Sequence, residues 1–316
     1  MAPRPFPLPL ETLAALLAFP GVPAIHTCHS WLGWPDEPVD FPRIVRYVAV
    51  DHTCRDRLVF EHGIAEDRVH VRLNAVDLGA FSSRGPLPPR PQRALVFSNS
   101  AGRQSPFVDA IARVCAAEGI ALDLAGSKSG TVLARPQDVL GQYDLVFAKA
   151  KAALEAAAVG TSVVLCDAAG VGPMVTTSNL AELRPLNFGI RTLRAAPTVD
   201  VVAREVARYD PADAAAVSRQ VRESAGHDEL VDDLIALYED VLAERAGAVD
   251  DPAAESRAAS RYLARLAGPL AERDRLDWFA TRVLHLPFVY RLARWRAARE
   301  GPTHPLYEVL ATFDRR

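Results

Sequence analysis

The chain has 316 residues, a mass of 34.3 kDa, a formal charge of -3 and a pI near 6.3. With 49% hydrophobic and 24% charged residues it has the composition of a folded globular protein, which excludes chain-wide disorder. The mild acidity argues against a general nucleic-acid binder, and the length fits about two domains of ~150 residues each.

No apolar run reaches the ~18–20 residues that a membrane span needs. Near the N-terminus, Glu11 and Pro5, Pro7 and Pro9 speak against a signal peptide, and Leu10–Ala18 reads as a short helix. Cys28, Cys54, Cys115 and Cys166 form no C-x-x-C pair, so they read as reduced thiols packed as small hydrophobes in a cytoplasmic protein. The basic residues are almost all Arg, and Ala and Pro abound, which points to a high-GC bacterial gene.

Val22–His26 and Val45–Val50 read as strands, Thr53–His62 as a helix stopped by Gly63, and Val69–Leu73 as a third strand. Four prolines between Arg84 and Gln92 can continue neither a helix nor a central strand, so the domain linker is placed at 85–92. A second alternating series follows: strand 94–98, helix 106–118 closed by Gly119, strand 121–125, strand 143–147, helix 151–158 capped by Gly160 and strand 162–166. Residues 211–245 have helical periodicity, and 250–316 read as a helical extension. The fold class is therefore α/β, with a first domain at 1–84, a doubly wound domain followed by helices at 93–246 and an extension at 247–316.

The chemistry concentrates between Tyr143 and Leu193. In open α/β sheets, ligands sit beyond the carboxyl ends of the strands. Glu155 and a Gly-rich loop after Asp167, carrying Gly170, Gly172 and Asn179, are expected to face that crevice. A carboxylate there can accept two hydrogen bonds from a ribose diol, and glycine amides or helix N-termini can hold a diphosphate.

Ala153–Val164 (ALEAAAVGTSVV) resembles the sugar-nucleotide site of GT-B-fold glycosyltransferases, family 4 in particular. Arg46–Phe81 resembles the family's run before its interdomain linker, and Val201–Glu244 its closing helices. The resemblance implies two Rossmann-type domains, the N-terminal one shortened. It also implies retaining, metal-independent transfer of a sugar from a nucleotide-diphosphate sugar to an acceptor hydroxyl, with no cofactor besides that co-substrate. Glu155 matches the second carboxylate of the family's E-x7-E motif, whereas the first falls on Phe147. Arg103, with Lys128 or Lys149, is expected to neutralise the diphosphate. His29, with His26 as second choice, is expected to face the sugar.

The departures at Phe147 and in the first domain keep a second reading open: a non-catalytic glycosyltransferase-like binding or scaffold protein, working as a homodimer or with a partner chain. A Rossmann oxidoreductase is disfavoured because no G-x-G-x-x-G follows a strand. His26 and Cys28 share a strand face near His52 and Cys54, but no structural zinc spacing is present and no metal is expected. Asp277–Gly301 carries five arginines among aromatic residues, a pattern for peripheral contact with the inner membrane face that would suit a lipid-linked acceptor. A glycan or a small molecule is the other acceptor class.

Overall fold

The structure is a computed structural model and describes residues 8–31, 37–102, 104–265 and the single positions 267, 291, 294 and 295. The chain divides into two compact units, residues 1–38 with 43–248, and residues 39–42 with 249–316. In the second unit residues 252–265 are helical, and Ala258 and Tyr262, one turn apart, are buried. The basic stretch 277–301 lies outside the described residues apart from three single positions. Among the described residues no helix is long and apolar enough to cross a membrane.

The first unit opens with α1 (Leu8–Ala18). Its last carbonyls lack intrahelical donors. The buried Arg43 guanidinium supplies one of them, donating to Leu16 O, and beyond the helix it donates to Phe19 O at 2.9 Å and Val22 O at 2.9 Å. A parallel three-stranded sheet follows, β1 (Ala24–Cys28), β2 (Ile44–Ala49) and β3 (Val69–Val71), in the order β1-β2-β3. Helix α2 (His52–Asp56) starts where the Asp51 carboxylate accepts the Cys54 N–H at 2.7 Å, and it runs on as one π-helical turn, Arg57–Glu61. All four cysteines are buried and unbridged.

The second sheet comprises β4 (Arg93–Phe97), β5 (Ala121–Ala125), β6 (Leu145–Ala148), β7 (Ser162–Asp167) and β8 (Gly170–Met174). The order is β5-β4-β6-β7-β8, parallel except for β8. Counted from β4 this is 2-1-3-4-5, a doubly wound order. Helix α3 (Pro106–Glu118) follows β4 and α4 (Ala150–Val159) follows β6. Beyond β8 come α5 (Leu180–Leu183), α6 (Val199–Val206), α7 (Pro211–Ser224) and α8 (His227–Arg245).

Side chains alternate along the strands with period two. Leu95, Val146, Val163 and Leu165 join the core with α4 and α7, whereas Val96, Leu145, Phe147 and Val164 join the core with α3 and α6. Gly119 and Gly160 close α3 and α4 in left-handed conformations, as the sequence predicts.

One expectation is corrected. The Gly-rich segment after Asp167 is not a loop but the antiparallel edge strand β8, whose Val171 exchanges backbone hydrogen bonds with Ala195. A Cβ on Gly172 would stand 2.6 Å from the Thr192 carbonyl and one on Gly170 2.8 Å from that of Ala195. These glycines admit a neighbouring backbone.

Gly126 is tighter still. Its φ is +143° and a Cβ there would overlap the Ser98 carbonyl oxygen at 1.9 Å. Gly126→Ala is expected to cost roughly 3 kcal/mol or more, read as a lowered urea midpoint.

Candidate functional site

The crossovers of the second sheet part between β4 and β6, so its ligand crevice is expected beyond the carboxyl ends of those strands. Three strands each deliver a polar side chain there. Asp167, the last residue of β7, is 4% exposed. Its Oδ2 accepts a hydrogen bond from Ser98 Oγ at 3.3 Å and lies 3.1 Å from Lys149 Nζ, while Oδ1 takes the Ala168 N–H. Lys149 keeps about a third of its side chain in solvent. It is thus a cation held by a buried carboxylate with its outer side open.

The loop between β4 and α3 is folded on itself. The Ser100 N–H donates to Ser98 Oγ at 3.1 Å, the Gly102 N–H to Ser105 Oγ at 3.2 Å, and Ser105 Oγ to the Ser100 carbonyl at 3.1 Å. The turn Ser127–Ser129 after β5 is tied to it, because the Ser127 N–H donates to Asn99 Oδ1 at 3.2 Å. Lys128 sits on that turn, with its Cβ 3.8 Å from where a Cβ on Gly102 would stand. Arg103, on the same loop, lies outside the described residues. The structure therefore brings the Lys128 turn and Lys149 to one edge of one sheet.

Glu155 lies within the buried run Ala153–Val159 of α4 and is 9% exposed. Its carboxylate accepts no hydrogen bond from the described residues; the nearest cation is Lys151 Nζ at 3.9 Å. Burial pushes the carboxyl pKa up, with Lys151 opposing more weakly. The side chain is 12% exposed, so the carboxylate keeps a narrow contact with solvent. A largely desolvated carboxylate with a raised pKa marks a candidate ligand site.

The start of α4 is also strained. Ala150 has φ +52° and donates its N–H to the carbonyl of Phe188, which has φ +50° beside Asn187 at +51°. Such conformations in non-glycine residues concentrate where function over-determines the backbone. Asn187 is 3% exposed and its Oδ1 has no hydrogen-bond partner among the described residues.

The same segment reaches the carboxyl edge of the first sheet. Arg184 Nη2 donates to the Asn74 carbonyl beyond β3, and Arg191 Nη1 lies 2.6 Å from Asp56 Oδ2 on α2. Burial pushes the Arg184 pKa down to about 10. His29 follows the end of β1 and is exposed.

Other candidates have local duties. Asn179 caps its own turn, accepting the Thr176 N–H at 2.8 Å and donating to the Met174 carbonyl at 2.9 Å. With Gly172 it lines a cleft of about 390 Å³ along β8, which Arg194 and Arg204 also line. Among the described residues no group of three or more His, Cys, Asp or Glu side chains is placed to hold a metal. The sequence reading missed Ser98 and Arg184. Ser98 was detectable as a polar residue closing an apolar strand; nothing local marks Arg184.

No protein-family model matches the chain, and no curated protein matches it. Among 35 chains of solved structures that are similar to this one is the crystal structure of a glycosyltransferase from Rickettsia africae. Identity is 11%, the TM-score is 0.46, and the match covers 62% of this chain and 63% of that one. The match spans less than two thirds of that protein's length.

Proposed function

We propose that the chain is a glycosyltransferase that moves a sugar from a nucleotide-diphosphate sugar to an acceptor hydroxyl, with retention and without a required metal. The observation that carries this reading is the nearly buried Glu155 carboxylate, which accepts no hydrogen bond from the described residues, on the helix that follows β6 at the switch point. It is suited to accept both hydroxyls of a ribose. Lys149, steadied by Asp167, and Lys128, with Arg103, balance the charge of the leaving diphosphate. His29 faces the sugar. Gly170, Gly172 and Asn179 shape the β8 side of the donor pocket. The acceptor is a glycan, a lipid-linked sugar or a small molecule; for a lipid-linked one, 277–301 holds the protein at the inner membrane face.

Calorimetric titration with UDP, GDP and ADP tests the reading. One nucleotide is expected to bind in the micromolar range. Glu155→Ala is expected to weaken it about 30-fold, the equivalent of ~2 kcal/mol in hydrogen bonds to a charged group. Binding unchanged by the substitution, or no binding at all, overturns the ribose assignment.

A second reading has its own support. Phe147, where the resemblance calls for the first glutamate, is fully buried in the core with α3 and α6. A carboxylate at that position would point into this core. A non-catalytic nucleotide-binding scaffold fits that substitution. Nucleotide binding without turnover of any nucleotide sugar would support it.

A further inference from the structure

Helix α8 is apolar on two adjacent stripes, and only one of them is covered. Leu230, Leu234, Leu237 and Val241 recur at 4-3-4 spacing; Leu237 and Val241 are buried and the two others half-buried. One position along, Val231, Ile235, Tyr238 and Leu242 repeat the same spacing, yet they are 37, 50, 52 and 60% exposed. Residues at 4-3-4 spacing line one face of a helix, so this second stripe is a seam of coiled-coil type.

Charge says what the seam accepts. At 3.6 residues per turn, Asp228, Asp232 and Glu239 border the exposed stripe on the side away from the covered one. All three are exposed, and none has an ion-pair partner among the described residues. Of the four carboxylates further round the helix, Glu229 and Asp240 are likewise exposed and without an ion pair among the described residues, whereas the other two hold the helix in place. Asp233 pairs with Arg72 at 3.3 Å and Glu244 with Arg46 at 2.5 Å, both holding α8 to the first sheet. Asp228 stands in the first turn, where the helix dipole favours an acid. Asp232 and Glu239 have no such local reason.

We propose that this face of α8 docks a basic amphipathic helix of a partner protein, its apolar side on Val231, Ile235, Tyr238 and Leu242 and its cations on the acidic rim. The proposal is independent of the transferase reading. A second copy fits worse. In an antiparallel pair on this seam, Asp232 of one copy and Glu239 of the other fall on the same side. An anionic bilayer is repelled by the same three carboxylates.

The test uses the full chain and a labelled helical peptide of about 21 residues, leucines at 3-4 spacing and lysines elsewhere, in about 150 mM salt. A second peptide carries glutamate in place of lysine. Fluorescence anisotropy is expected to show the lysine peptide binding at least about 10-fold tighter than the glutamate peptide. The Ile235→Ser/Tyr238→Ser variant, which touches only exposed positions and is checked for an unchanged thermal melt, is expected to lose that binding. Asp228→Lys/Asp232→Lys/Glu239→Lys is expected to reverse the preference.

Equal binding of both peptides, or binding that survives the serine variant, overturns the proposal. So does a wild-type dimer in light scattering that the serine variant abolishes, which would assign the seam to a second copy. Sedimentation with phosphatidylglycerol vesicles that depends on the same two residues would assign it to a membrane and overturn it likewise.

Discussion

Glu155→Gln is expected to make the fold more stable and its nucleotide more weakly bound, both in one variant. The carboxylate is nearly buried, accepts no hydrogen bond from the described residues and has only the solvent-screened Lys151 nearby, at 3.9 Å. Its pKa is raised above 4.5, first by burial, so the folded state holds this proton more firmly than the unfolded chain does. The stability this provides is full below the unfolded value and is lost as the pH rises through the folded one. At pH 7 the wild type therefore carries the penalty, and the neutral amide removes about 1 kcal/mol of it. Urea unfolding should show the variant more stable at pH 7 and the two proteins converging as the pH falls below the usual carboxylate range. In calorimetry the same variant should bind the nucleotide about 10-fold more weakly, because the bonds to ribose lose their charge assistance. A variant that is less stable than wild type at pH 7 would remove the physical basis for the site.

Asp144→Ala is expected to be strongly destabilising, costing about 3–5 kcal/mol. Asp144 precedes β6 and is 6% exposed. Its Oδ1 pairs with Arg84 Nη2 at 3.0 Å, and its Oδ2 accepts the N–H groups of Gln92 at 2.9 Å and Arg93 at 3.1 Å. Arg84 also donates to the Tyr143 carbonyl, and the Arg84 N–H to Val159 O at 2.8 Å. One carboxylate thus pins both ends of the proline-rich segment 85–92. Tyr209, donating to Pro88 O at 3.0 Å, holds its middle. Alanine would leave a largely buried guanidinium without its counter-charge and two backbone donors unmet. The readouts are the urea midpoint and the rate of proteolytic cutting within 85–92, which should rise. A loss below about 1 kcal/mol would show that the guanidinium finds other acceptors.

The second series of strands and helices was readable because β6 and the middle of β7 are apolar runs and because α3 and α4 end at Gly119 and Gly160, which take left-handed conformations. β8 was not readable. Gly-x-Gly-Pro is a turn signal in any local reading, and Pro173 argues against a strand. On a sheet edge that proline has no ladder donor to lose. The glycines are needed because residues 192–195 pass too close for a Cβ.

The site divides in the same way. Glu155 stands out in the sequence because its alanine-rich helix is followed by a capping glycine and an apolar strand ending in Asp167, the pattern on which the family resemblance rests. Lys149 stands out as a cation at a strand end. That Asp167 and Ser98 hold Lys149 from two other strands is invisible locally, because 69 residues separate Ser98 from Asp167. The strained contact between Ala150 and Phe188 and the reach of Arg184 to Asn74 are equally remote in sequence.

The sequence by itself determined the order of strands and helices up to Cys166 and the place of the Glu155 carboxylate on α4. Those follow from local propensity and periodicity, which act within a few residues. Only the tertiary structure decided that a glycine pair would be an edge strand, that Asp167 would steady Lys149, and that one of two equally apolar stripes on α8 would stay in solvent. Each of these depends on which distant backbone or side chain arrives alongside, and no local pattern encodes that arrival.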